Sequence, residues 1–282
     1  MRQLYELVED VRDIVAEKFM PGYSLENIYK ATMYAFIYAV LQRKTGKYEL
    51  LSPLKERIPP PLLAAAKREL TNRMNSLVSH IDAMLSENKP ILTYGEADLK
   101  YTIETVKREI GNVDYVLVYD CMSLIEQLVI SAFLKAKGVR ALFLNVVFLN
   151  PVGLTRFMTS QLPDIRYRPS LLGVARYVAG QLSAPLYMRN SFIDRKVHKI
   201  GSLGIDEFVD RIAIDRIASE VLGASIRGKA LVFSDHGYDV VLSEQEKYLY
   251  IVHGFKQSVS FRGVPLLLLS RIALFMGAYR VG

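Results

Sequence analysis

The sequence predicts an α/β protein with a mostly parallel central sheet, helices on both of its faces, and a helical region preceding it. Three observations carry that prediction. From residue 91 onward, short apolar runs of strand length alternate with helix-length segments, the pattern of a parallel sheet covered on both faces. Before residue 90 nothing alternates as a strand does. The 282 residues are 51% hydrophobic, enough to bury the core of one large domain with a sizeable appendage.

Leu4, Leu7, Val8, Val11, Ile14 and Val15 recur at three- and four-residue spacing, which predicts an amphipathic helix over 3 to 19, stopped by Pro21 and Gly22. Ser24 caps a second helix with Ile28, Ala31, Ala35, Ile37 and Val40 on its apolar face, ending near Thr45 and Gly46. A linker holding Pro53 and the run Pro59, Pro60, Pro61 leads to a third helix, Leu62 to Leu85, closed by Asn88 and Pro90. Residues 1 to 90 therefore read as a helical module, with His80 and the tyrosines serving packing or a protein partner.

Residues 91 to 282 read as the α/β domain. Ile91 to Tyr94 is a short strand or extended entry, Glu96 to Ile110 a helix, Tyr115 to Tyr119 a strand, and Met122 to Lys137 a helix ended by Gly138. A strand over Arg140 to Phe148 gives way at Asn150 and Pro151, and a short helix opens at Thr155. Ala184 to Phe192 reads as a strand and Asp206 to Leu222 as a helix. Strands follow over Ala230 to Phe233 and Tyr248 to Val252, then extended chain over Val264 to Leu268 and a last helix.

Composition narrows the chemistry. The single cysteine, Cys121, excludes an internal disulfide framework and any multi-cysteine metal site, so His and carboxylates must supply metal ligands. A formal charge of +7 favours anionic partners such as phosphate esters, nucleotides or nucleic acid. No apolar run approaches the ~20 residues that span a bilayer, and Met1 to Met20 is too charged for a signal peptide. The expectation is a soluble cytoplasmic protein without membrane partners.

In sheets of this kind, sites form beyond the carboxyl ends of the strands. The residues there are Asp120, Thr155 after the Asn150 turn, Asp194 with His198, Asp235 with His236, and His253. Three of the chain's four histidines thus fall beside an aspartate or a glycine at a strand end. Three carboxylates, three imidazoles and one hydroxyl are about what two divalent metals sharing a nucleophile require.

The ordered pieces YDCMS, NPVGLTRFMTSQLPD, FIDRKVHKIGSLGIDEFVDRI, FSDHGYD and VHGFKQSVSFRGVPLLL resemble the alkaline phosphatase superfamily over roughly Tyr115 to Ser270. The compact size and appended helical region are most similar to the PglZ domain. The resemblance implies an alkaline phosphatase-like fold in which Asp120, Asp235 and His236 hold one ion, and Asp194, His198 and His253 the other. Thr155 matches the covalent nucleophile of phosphodiesterase and phosphatase members and would bridge or adjoin the first ion as a further metal-binding residue. Arg156 would add charge beside the transferred phosphate. The helix after His198 carries another aspartate of the pattern, here Asp210 or Asp215. Where many members have glycine after the first aspartate, this chain has Cys121 and Met122.

The expected function is a two-metal phosphoesterase acting on phosphodiesters or nucleotides, with zinc first and manganese second as the ions. The alternative is a catalytically weak or inactive PglZ-type binding module in a signalling or defence assembly.

Overall fold

The computed structural model describes residues 2 to 86, 97 to 163, 169 to 254 and 262 to 280; the extended entry expected at Ile91 to Tyr94 lies outside them. Four helices open the chain: α1 (Arg2–Ile14), prolonged by a π-turn over Val15–Phe19; α2 (Leu25–Lys44); α3 (Ser52–Glu56); and α4 (Pro60–Ser86). The Ser24 hydroxyl accepts the Asn27 amide at 3.3 Å, the cap its position predicts. The expected linker after residue 50 instead contains α3. Pro53, Pro60 and Pro61 sit in first helical turns, where the amide that proline lacks has no intrahelical acceptor.

Five strands form the central sheet in the order β2-β8-β4-β1-β3, with β1 at Tyr115–Tyr119, β2 at Val139–Leu149, β3 at Leu186–Asn190, β4 at Ala230–Ser234 and β8 at Ile272–Arg280. β1 pairs in parallel with β3 and β4, while β8 runs antiparallel to both β2 and β4. Four strands therefore point one way and β8 opposes them, which makes the sheet mixed. β8 replaces the expected last helix. Its run from Ile272 to Ala278 has no polar residue to set a period, so a buried helix and a buried strand look alike in sequence. Insertion between β2 and β4 buries it on both faces: Leu274, Met276 and Ala278 join one core, Ala273 and Phe275 the other.

Helix α6 (Leu124–Ala136) and α11 (Ile214–Arg227) cover the first face. α1, α2 and α4 pack outside them, and Leu4, Ile37 and Leu70 share one continuous core with Ile125, Leu128, Val232 and Leu274. The second face carries α5 (Leu99–Ile110) and α8 (Leu171–Gln181), whose Ile103, Val106, Val174 and Val178 meet Val116, Val118, Leu231 and Phe233. Nothing in the sequence reading anticipated α8. The single helix expected over Asp206 to Leu222 is two, α10 (Ile205–Arg211) and α11, separated by an extended Ile212. Arg57 holds α10 through Asp206 (2.7 Å), Glu207 (3.0 Å) and Asp210 (2.7 Å), and Lys30 reaches Asp210 at 2.6 Å.

A second, antiparallel sheet of β5 (Asp239–Ser243), β6 (Leu249–Val252) and β7 (Gly263–Leu267), ordered β6-β5-β7, flanks the carboxyl end of the first. No described helix is long and apolar enough to cross a membrane.

Candidate metal centre

Because β1, β2, β3 and β4 run in one direction, the segments leaving them emerge at one edge of the sheet. β1 delivers Asp120, and β4 delivers Asp235 and His236. β2 leads through the Asn150 turn to Thr155, the first residue of α7 (Thr155–Thr159), the short helix expected there. Asp194 and His198 do not close a strand. They lie one turn apart on α9 (Phe192–Ile200), which puts both side chains on one helix face. His253 follows β6 of the second sheet.

All seven side chains converge. The Thr155 Oγ1 lies 3.3 Å from His236 Nε2 and 3.5 Å from Asp120 Oδ1. His236 Nε2 lies 3.6 Å from Asp120 Oδ1 and 3.5 Å from Asp235 Oδ2. Alongside, His253 Nε2 is 3.1 Å from His198 Nε2, and each imidazole is 3.3 Å from Asp194 Oδ1. The rings of His236 and His253 stack with centroids 4.8 Å apart, which joins the two halves.

His236 Nδ1 is 2.8 Å from the Gly237 carbonyl, which can only accept, so the ring proton is on Nδ1. Its Nε2 lone pair then faces the Asp120 and Asp235 carboxyl groups and the Thr155 hydroxyl. Burial, and next the charge of His253, lower the His236 pKa to about 4, so this imidazole is neutral. Burial likewise pushes Asp120 up to about 7, with repulsion from Asp235 and Asp194 adding to it, and burial pushes Asp235 up to about 6. Both Asp235 oxygens are buried and lack a well-formed hydrogen bond, although the Thr155 hydroxyl and the backbone amides of Asp235 and Cys121 lie near enough to offset part of the burial. A carboxylate so placed costs about 3 kcal/mol or more unless a cation meets it or it takes up a proton. For Asp194 burial works in the same direction, but the His253 hydrogen bond and the charges of His198, His253 and His236 outweigh it and hold the group below the usual carboxylate range. These residues fit a divalent metal: Asp120, Asp235 and His236 form one group able to hold an ion, and Asp194 and His253 belong to another.

No family model matches the chain, and no curated protein matches it. Its chemistry therefore rests on its own residues.

The shell behind the ligands explains how they are held. Fully buried Asn150 accepts the Gly153 amide at 2.9 Å and donates to the carbonyls of Leu154 (3.0 Å) and Asp235 (3.1 Å), tying the Thr155 turn to the Asp235 loop. Gly153 (φ +64°) and Gly254 (φ +59°) let that turn press against the His253 segment: a Cβ on Gly254 would lie 2.6 Å from Leu154 Cδ2. Glu126, buried in α6, accepts the Ser123 amide (2.9 Å) and hydroxyl (2.5 Å), the Tyr238 hydroxyl (2.5 Å) and the Tyr29 hydroxyl of α2. It thereby anchors the residue two positions beyond His236 to the N-terminal helices. None of Asn150, Glu126, Tyr29 or Tyr238 was a candidate site residue from sequence. Ser123 with Glu126 carries a capping-box signature that could have marked a helix start but not this wider role.

Arg156 is exposed beside Thr155. Asp210 is committed to Lys30 and Arg57, and Asp215 lines a cavity with Met20, Tyr23 and Phe133. Neither aspartate joins the centre.

Proposed function

We propose that the chain is a two-metal phosphoesterase of the alkaline phosphatase superfamily, PglZ-like, that cleaves phosphodiesters or nucleotides through Thr155. The observation that carries this is the position of a single hydroxyl against the buried ligands, Thr155 Oγ1 at 3.3 Å from His236 Nε2 and 3.5 Å from Asp120 Oδ1. Asp120, Asp235 and His236 would hold one ion, and Asp194, His198 and His253 the other. Two divalent ions, zinc for its match to His and Asp donors with manganese as the alternative, supply electrophilic stabilisation of phosphoryl charge and a lowered hydroxyl pKa when bound.

The rest is done by the chain. Thr155 Oγ1 forms the bond to phosphorus as the bond from phosphorus to the ester oxygen breaks; the hydroxyl proton passes to solvent and the leaving oxygen takes one up from solvent. Water then attacks phosphorus and releases the phosphoryl group, restoring the hydroxyl. Asn150 fixes the nucleophile's turn, and exposed Arg156 offers charge to the non-bridging oxygens. Bis-nitrophenyl phosphate, nitrophenyl phosphate and a cyclic dinucleotide, assayed with zinc or manganese, test the reading. Thr155→Ala should lower turnover about a thousandfold or more, and full activity in that variant would remove the proposed nucleophile.

A further inference from the structure

Cys121 follows Asp120 directly, and its backbone is left-handed at φ +67°, a conformation that glycine would adopt without strain. Its side chain is fully buried. The thiol sulfur, an Asp194 oxygen and a His253 nitrogen all lie within 4.8 Å of one another, while the sulfur's hydrogen-bond acceptor is the Gly237 carbonyl at 3.3 Å. Beside this trio stands Asp235, wholly buried, with neither oxygen in a well-formed hydrogen bond and His236 Nε2 3.5 Å away, so a second carboxylate faces the same enclosed pocket independently of the thiol. The three donors differ sharply from His198 in exposure: the His198 side chain is 60% exposed, against 12% for His253 and 20% for Asp194.

Resting on the two-metal reading above, we propose that Cys121 is an inner thiolate ligand of the second ion, together with Asp194 and His253, and that His198 is the exchangeable ligand at the solvent rim. The second position is then thiophilic and selects zinc or cadmium over manganese. Ligands of one tetrahedral zinc ion stand about 3.6 Å apart, so the trio needs to draw in by roughly 1 Å. Coordination exchanges the thiol proton for the cation: the sulfur–hydrogen bond breaks, the proton passes to solvent, and the sulfur lone pair binds the metal.

Cadmium titration of the metal-free full-length protein tests this, read by thiolate-to-cadmium charge-transfer absorption in the ultraviolet. Cys121 is the only cysteine of the sequence, so any such band reports this sulfur. The expected result is a band that saturates with the bound ions, persists in His198→Ala, and is lost in Asp194→Asn and in His253→Ala. In Cys121→Ser the second equivalent should bind about tenfold more weakly or worse. Circular dichroism and Cys121→Gly, which relieves the left-handed backbone, separate ligand loss from misfolding: both Cys121 variants should fold and both should show the weakened second equivalent. Two cadmium ions bound without the band would overturn the thiolate ligand and leave the two-metal reading standing. A band that survives Asp194→Asn and His253→Ala would also overturn it, and failure to bind cadmium at all would overturn both.

Discussion

His236 presents its Nε2 lone pair to the Asp120 and Asp235 carboxyl groups, an arrangement of donors that could hold a cation. At this scale the residue types and their strand-end positions were readable from sequence, since Asp120, Asp235 and His236 follow apolar runs directly. What could not be read was support from distant chain. Glu126 shows the difference: its partner Tyr29 is remote in sequence, and only the fold brings the two together. Glu126→Gln replaces an acceptor of four donors with a group that must itself donate, and should destabilise the protein by about 1–3 kcal/mol in urea unfolding. Burial raises the Glu126 pKa despite its hydrogen bonds from Ser123, Tyr238 and Tyr29. A carboxyl raised on folding contributes stability that is full below its ordinary pKa of 4.5 and is lost as pH rises through the folded value. The cost of Glu126→Gln should therefore be larger at pH 4 than at pH 7, and an equal or reversed cost would contradict that assignment.

Elements were recovered where amphipathic period, a capped apolar stretch of helix length or strand length left one choice, as in α1, α2 and β1. Where an apolar run had no period, as in β8, tertiary position decided. The break between α10 and α11 had no glycine or proline to announce it; Arg57 and Lys30 grip the acidic face of α10 just before it. The Lys30 hydrogen bond lowers the Asp210 pKa against partial burial, with the charges of Lys30 and Arg57 adding to it. Its contribution is present above the ordinary carboxylate value and is lost as pH falls through the folded one. Asp210→Asn should flatten the acid limb of a circular-dichroism unfolding curve below about pH 4, whereas an unchanged limb would show that the clamp carries no stability. Gly254→Ala forces a Cβ against Leu154 at a left-handed position, and should cost about 1–3 kcal/mol and weaken metal binding together. Retained stability and affinity in that variant would mean the Thr155 turn is held elsewhere.

Across the described residues, α1, α2 and α4 share one core with α6 and the central sheet, completing the hydrophobic layer that α6 begins. The sequence could suggest a helical module from composition, but a shared core is a property of packing. Removing residues 1 to 86 should expose the buried faces of Ile125 and Leu128, and leave the remainder aggregated or without a cooperative melt. A soluble, cooperatively folding fragment would show the two parts to be separable.

Metal content per chain, measured by elemental analysis after reconstitution of the full-length protein with zinc and removal of excess, tests the central claim most directly. Two ions per wild-type chain are expected, with one lost in Asp235→Asn and one in Asp194→Asn. Fewer than one ion per wild-type chain would contradict the account.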